Sequence, residues 1–114
     1  MDSVVSNQVE RSPGASIQVL LGPTDEMPNY YTRRFTLEPG AKIPSHMHDD
    51  IEHQQVILEG EMMVILDGKE LIAKEGDVVY LPPKAFHSYE NHGSLPCRFL
   101  CIIPAVTNYK TEWA

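Results

Sequence analysis

Hydrophobic and polar residues alternate along residues 29–40, where the sequence reads NYYTRRFTLEPG. Alternation with a period of two is typical of a β-strand with one buried face and one exposed face. The pattern assigns Tyr31, Arg33, Phe35 and Leu37 to one face and Tyr30, Thr32, Arg34 and Thr36 to the other. The turn signal Pro39-Gly40 ends this predicted strand.

Short apolar runs separated by turn signals continue along the chain. Further strands are predicted at residues 16–22, 86–91 and 97–104, with a series of short strands between them in residues 52–83. Turn signals separate these strands at Glu59-Gly60, Asp67-Gly68, Glu75-Gly76 and Pro82-Pro83. Asp-Gly between apolar runs is a strong hairpin signal. Because no stretch of ten or more residues has a helical period, the sequence predicts an all-β sandwich or barrel.

The length of 114 residues suits one domain and leaves no room for two independent cores. Residues 1–15 are predicted to form an N-terminal arm, and residues 16–114 a single domain. The C-terminal segment, residues 107–114, is predicted to be a tail. Its apolar side chains, Tyr109 and Trp113, are expected to pack on the body of the domain or on a partner chain.

The formal net charge of −7 argues against nucleic acid or an anionic membrane as a partner, because both need a basic protein face. The N-terminus has no signal-like apolar run, and no segment approaches the ~20 apolar residues of a membrane helix. A cytoplasmic protein is therefore predicted. Cys97 and Cys101 would lie roughly 13 Å apart on one strand. Since a disulfide needs a much shorter separation, both are predicted to be free thiols.

Three of the five histidines fall within eight residues, HMHDDIEH, residues 46–53. His46 and His48 are two residues apart, so on a strand their side chains point to the same face and can reach one metal ion. His53 begins the next predicted strand. His87 lies on a separate strand, and it joins the other three only if the sheet closes and brings that strand round.

With these spacings the sequence resembles the cupins at two motifs, which together cover residues 40–91. The first motif reads Gly40, five residues, His46-Met47-His48, four residues, His53, six residues and Gly60. The second reads Gly76, five residues, Pro82-Pro83-Lys84, two residues, His87, three residues and Asn91. The chain departs from the family pattern at two positions, since His53 stands where cupins usually have a glutamate and Lys84 where they have a glycine.

The fourth metal-ligand position has two candidates, His53 and Glu52. His53 keeps the family's spacing to Gly60, whereas a ligand at Glu52 would put this glycine one place late. A shift of one residue turns every side chain of a strand to the other face, so only one of the two can point inward. The glycine spacing favours His53, with Glu52 as the alternative.

The resemblance implies a double-stranded β-helix, the jelly-roll barrel of the cupins, and a site like that of small single-domain four-histidine cupins. The implied metal ligands are His46, His48, His53 and His87. They would hold one divalent transition metal per chain, with manganese as the first expectation, and iron, nickel, zinc and copper also suit such ligands. Four protein ligands in an octahedron leave two positions for water, oxygen or a chelating substrate.

Seven residues are candidates for the lining of a substrate pocket: Arg33, Phe35, Gln55, Ile57, Tyr89, Phe99 and Cys101. Arg33 can pair with a substrate carboxylate or enolate if its face lines the cavity, and a surface salt bridge is the alternative. Gln55 shares a strand face with His53 and can bond a metal-bound ligand. The strand RFLCIIP resembles one that carries a cavity-facing cysteine in such cupins, which implies that role for Cys101.

Two classes of function are compatible with these features. The first is a metal-dependent enzyme acting on a small oxygenated molecule, with dioxygenase chemistry as the leading hypothesis and isomerisation or decarboxylation as related possibilities. The second is a non-catalytic module that binds a metal or a small ligand. The sequence offers no obvious general base beside the ligands, which favours redox chemistry. The resemblance and the short chain also imply a homodimer.

Overall fold

The computed structural model describes residues 4–48, 51–106 and 109–114. Within these ranges the chain forms strands and one short 3₁₀ turn, Pro23–Asp25. The strands are β1 Asn7–Gln8, β2 Ala15–Leu21, β3 Tyr30–Leu37, β4 Lys42–His48, β5 His53–Glu59, β6 Glu61–Leu66, β7 Lys69–Lys74, β8 Val78–Leu81, β9 His87–Glu90, β10 Cys97–Pro104 and β11 Thr111–Trp113. In the described part of the chain, no helix is long and apolar enough to cross a membrane.

The strands form two antiparallel sheets around one apolar core. The six-stranded sheet has the order β1-β2-β3-β10-β5-β8, and the five-stranded sheet has the order β11-β4-β9-β6-β7. Most neighbouring strands are distant in sequence, as expected for a jelly roll, in which the chain crosses repeatedly between two sheets. The prediction of an all-β jelly-roll barrel is confirmed.

Strand β10 lies at the centre of the six-stranded sheet, between β3 and β5. Its burial alternates, with Cys97, Phe99, Cys101 and Ile103 buried and the residues between them half-buried. The strand predicted at residues 97–104 is therefore confirmed over its full length. Both cysteines are free, as expected from their separation along one strand.

The hairpin predicted at Asp67-Gly68 joins β6 to β7. Both turn residues have positive φ, 47° for Asp67 and 80° for Gly68. A two-residue hairpin loop with positive φ at both positions matches the right-handed twist of its strands, which explains the Asp-Gly pair.

Strand β4 contains a β-bulge that sets the direction of its histidines. The register of β4 against β9 shifts between Ile43 and His46. In a regular strand, Ile43 would share a face with residues 45 and 47. The extra residue changes the phase, so that Ile43, His46 and His48 are all buried.

Both ends of the chain add a strand to the barrel. β1 lies within the segment predicted as an arm and pairs with β2. β11 lies within the predicted tail and pairs with β4, with Trp113 opposite His46. Tyr109 and Trp113 therefore pack on the body of the domain. The boundary predicted between an arm and the domain stays a prediction, and residues 1–3 lie outside the described ranges.

Candidate metal centre

Three histidines converge because their strands are neighbours in the five-stranded sheet. His46 on β4 is the register partner of His87 on β9, and His48 follows on the same face of β4. One ring nitrogen from each of these three side chains lies within 4.8 Å of the other two, and all three side chains are buried. The three nitrogens are close enough together to share one metal ion.

His53 approaches this cluster from the opposite sheet, at the start of β5. Its ring centroid lies 5.0 Å from that of His48 and 5.4 Å from that of His87. Its side chain is buried. Glu52, the alternative candidate, is exposed, and its carboxylate accepts a hydrogen bond of 2.8 Å from the Tyr80 hydroxyl. The cluster therefore has His53 beside it and Glu52 turned to the surface.

Backbone carbonyls orient two of the rings. The Nδ1 atom of His46 lies 2.8 Å from the Pro44 carbonyl oxygen, and that of His87 lies 3.0 Å from the Ala85 carbonyl oxygen. A carbonyl oxygen only accepts, so in each ring Nδ1 carries the proton and Nε2 keeps a free lone pair. This is the tautomer that a metal-ligating histidine needs, with its other nitrogen bonded to an outer acceptor.

Burial favours the neutral form of all four imidazoles. It lowers the pKa of His46. It also lowers the pKa of His48 to about 4 and that of His87 to about 3, and the second cause in both is the repulsion that a protonated His46 would exert. Burial and then the Arg33 guanidinium lower the pKa of His53 to about 2. Neutral imidazole is the form that binds a metal.

The donor set fits a divalent transition metal. The cluster offers neutral nitrogens in fixed orientation, which suit the metals from manganese to zinc. His53, the fourth histidine, has an unpartnered ring nitrogen. Its Nδ1 atom is buried and has no hydrogen-bond partner among the described residues. A buried polar atom without a partner is costly, so His53 is not a residue placed for packing alone.

A cavity of about 190 Å³ opens beside the histidines. It is smaller than the roughly 300–1,000 Å³ of pockets for drug-sized ligands, so it suits a small molecule. One wall is a row of three cross-strand neighbours, since Cys101 on β10 lies opposite Arg33 on β3 and opposite Gln55 on β5. All three line this cavity, and their predicted role as the lining of a substrate pocket stays a prediction.

The remaining predicted pocket residues divide into two groups. Phe35 and Tyr89 line the cavity. Ile57 and Phe99, predicted as apolar wall, are not among the described lining residues and belong to the core cluster. Phe99 stacks on Phe35 with ring centroids 5.1 Å apart and packs against Tyr89 at 5.4 Å, so it supports the lining from within the core.

Residues of the C-terminal strand region complete the cavity, and sequence reasoning gave them no site role. The ring of Tyr109 packs edge-on against His48 at 5.1 Å, and that of Trp113 lies 5.0 Å from His46. The Thr111 hydroxyl lies 3.1 Å from His48 Nδ1. Tyr109, Thr111 and Trp113 are spaced by two, and this period-two pattern was the available signal for a strand with one face on the site.

A family model described as "Cupin domain" matches residues 33–103. An uncharacterised protein of Methanocaldococcus jannaschii is 40% identical over 74 residues, which are 64% of this chain and 59% of that protein. The chain thus spans less than two thirds of that relative's length.

Many solved structures share the fold, among them two that each cover more than nine tenths of this chain. The polyketide cyclase RemF from Streptomyces resistomycificus superposes with a TM-score of 0.89 at 21% identity, over 99% of this chain and 81% of that one. A predicted oxalate decarboxylase from Thermotoga maritima superposes with a TM-score of 0.81 at 25% identity, over 92% of this chain and 96% of that one.

Proposed function

Given that the chain belongs to the cupin family, we propose that it is a metal-dependent enzyme that acts on a small oxygenated organic molecule by dioxygenase-type chemistry. The observation that carries the proposal is the convergence of buried, neutral histidines on one side of a small cavity. A structural metal site is closed by its protein ligands, whereas a catalytic one is open to a substrate. Here the cluster faces space for a small molecule.

The proposed ligand set is His46, His48, His53 and His87, and the proposed metal is one divalent ion per chain, manganese first and iron, nickel, zinc or copper as alternatives. When bound, such an ion would supply Lewis-acid activation and, if it is redox-active, electron transfer to oxygen. The chain's own residues have separate tasks. The carbonyls of Pro44 and Ala85 hold two rings in orientation, and Phe35 and Ile43 supply apolar parts of the cavity wall.

The described lining residues include no suitable protein base, which supports redox chemistry over proton abstraction. Among the described lining residues the only carboxylate is that of Glu10, which is exposed. Burial raises the pKa of Tyr89, so this side chain is a neutral phenol at pH 7. A mechanism that needs a strong protein base is therefore poorly served here, whereas oxidation at a metal does not need one.

A second candidate is Lewis-acid chemistry, either decarboxylation or isomerisation. The similarity to the Thermotoga maritima protein described as a predicted oxalate decarboxylase favours it, because that structure covers almost the whole chain. Cupin folds carry many reactions, so the fold leaves the choice between these two to experiment.

The test is elemental analysis of protein purified without added metal, followed by oxygen uptake of iron- and manganese-loaded protein with small diketones, phenols and hydroxy acids. Stoichiometric metal and substrate-dependent oxygen uptake are expected. Metal without oxygen uptake, but with release of carbon dioxide or an isomerised product, would favour the second candidate. If the protein contains metal but turns over none of the compounds, the result would support a non-catalytic binding module.

The predicted homodimer has a candidate surface on the outer face of the six-stranded sheet. Val78, Val56 and Leu100 lie opposite one another across β8, β5 and β10. Val78 is 64% exposed, and Leu58 on β5 and Tyr80 on β8 are also exposed. An apolar sheet face of this kind is stabilised when a second copy covers it.

Val78→Glu is expected to convert a dimer to a monomer in analytical ultracentrifugation, because it would bury an unpaired carboxylate between the two copies. Ile72→Glu is the matched control, since Ile72 is an exposed apolar residue on the other sheet, and this variant should stay dimeric. A Val78→Glu protein with the sedimentation of the parent protein would place the contact elsewhere.

A further inference from the structure

Arg33 is a cation at the wall of the cavity, and no carboxylate in residues 4–48, 51–106 and 109–114 pairs with it. Its Nη1 donates to the Tyr109 hydroxyl at 3.1 Å and its Nη2 donates to Cys101 Sγ at 3.2 Å. Its Nε is buried and has no partner in the described part of the chain. Arg33 is half-buried, and both bonded groups are weak or neutral acceptors, whereas a guanidinium that is partly removed from water is ordinarily paired with an anion.

The other described residues of the cavity place no anion beside Arg33. The exposed Glu10 is the sole carboxylate among the described residues of the lining, and an imidazole side chain brings no negative charge. A divalent ion on the histidines would add two further positive charges. The combined charge is costly in a low-dielectric space until an anionic ligand enters.

Arg33 lies close to the histidine cluster. Tyr109, which accepts its hydrogen bond, packs against the His48 ring at 5.1 Å. Cys101, its other acceptor, sits between Arg33 and Gln55 in the cross-strand row. One small molecule can therefore reach both Arg33 and the histidines.

Gln55 provides a second and independent indication. Its side chain is 2% exposed, and its Nε2 donates to the Tyr89 hydroxyl at 2.6 Å. Its Oε1 is buried and has no partner among the described residues. An acceptor left open in a cavity wall suits a ligand that brings a hydroxyl donor.

We propose that Arg33 is the anion subsite of this cavity and that the substrate is a small α-hydroxy carboxylate. Its carboxylate pairs with the Arg33 guanidinium, its hydroxyl donates to Gln55 Oε1, and its oxygens face the histidines. The inference rests on the proposed function. It narrows the substrate from any small oxygenated molecule to a small α-hydroxy carboxylate. Arg33 and Gln55 both serve to position this substrate.

The test is calorimetric titration of cobalt-loaded protein with glycolate and with hydroxyacetone, which has the same hydroxyl and a neutral carbonyl in place of the carboxylate. Arg33→Gln is expected to weaken glycolate binding roughly tenfold, because the loss of a charge-assisted hydrogen bond costs about a factor of ten in affinity. The same variant is expected to leave hydroxyacetone binding unchanged, because hydroxyacetone has no carboxylate. Arg34→Gln is the matched control. It removes the same charge from the next residue, which lies on the outer face bonded to Gln18, and it should leave glycolate binding intact.

Equal losses for glycolate and hydroxyacetone in Arg33→Gln, or no loss for either, would overturn the inference. The wild-type protein provides a test that does not depend on the folding of any variant, because it must bind glycolate more tightly than hydroxyacetone. Failure of the proposed function has a different signature. Protein that takes up no cobalt would refute the metal site, whereas protein that takes up cobalt and binds the two ligands equally would refute only the anion subsite.

Discussion

Replacement of His53 by Ala is expected to weaken metal retention by roughly a hundredfold or more. Even the loss of an outer-shell partner of a metal ligand costs about 10–100-fold in affinity, and the loss of a direct ligand should cost at least as much. His53 is buried beside His48 and His87, and its ring is neutral. The measurement is metal content after dialysis, together with competition against a chromophoric chelator.

Two variants serve as controls for His53→Ala. Glu52→Ala removes the neighbouring carboxylate, which is exposed and bonded to Tyr80, and it should leave metal content unchanged. His92→Ala removes the one histidine outside the cluster, which is hydrogen-bonded to Glu90. This variant should also leave the metal content unchanged. If His53→Ala keeps its metal while Glu52→Ala loses it, the ligand assignment on β5 is reversed. If both keep it, the centre has three histidines.

Gly60→Ala is expected to lower the free energy of unfolding by roughly 2–5 kcal/mol, because the new methyl group meets both an unfavourable backbone conformation and a steric clash. Gly60 has a φ of 75°, in the left-handed region. A Cβ atom there would lie 2.5 Å from the Pro96 carbonyl oxygen and 3.0 Å from the Cys97 Cα. Both are backbone atoms, which cannot rotate away as the end of a side chain can.

Gly68→Ala separates the two contributions. Gly68 has a similar φ of 80°, but a Cβ there would have no neighbour within 4 Å. Its replacement should cost about 1–2 kcal/mol, the conformational part alone. Urea denaturation of the two variants measures the difference. Equal losses of stability in the two variants would mean that the backbone at Pro96 and Cys97 moves to accept the new methyl group. Gly60 would then be needed only for its positive φ.

Local sequence patterns predicted much of the fold. The Asp67-Gly68 pair predicted a hairpin because few residue pairs accept positive φ twice. The apolar run in residues 97–104, which follows a turn signal, predicted β10. The spacing of His46 and His48 placed two rings on one face. These predictions depend only on neighbours in sequence, which is why they could be made without the structure.

Other features had no local signal or only a faint one. The β11 strand was missed because three residues at the chain end carry a weak pattern, and its stability comes from pairing with β4. Ile57 and Phe99 were predicted to line the pocket because they lie on inward faces of their strands. An inward-facing side chain lines a cavity where the opposite sheet leaves space, and it is part of the core where the opposite sheet packs against it. The local sequence pattern is the same for a cavity residue and for a core residue.

The sequence by itself determined which residues have the chemistry of this protein: four histidines at cupin spacing, an arginine with either a cavity or a surface role, and two cysteines that cannot bond each other. Tertiary structure decided how they are used. The bulge in β4 turned His46 and His48 inward, the pairing of β4 with β9 put His87 opposite His46, and the packing of the sheets left Arg33 with no carboxylate partner among the described residues. The physical reason is that strand pairing and sheet packing join residues far apart in the chain, and their geometry depends on the whole barrel.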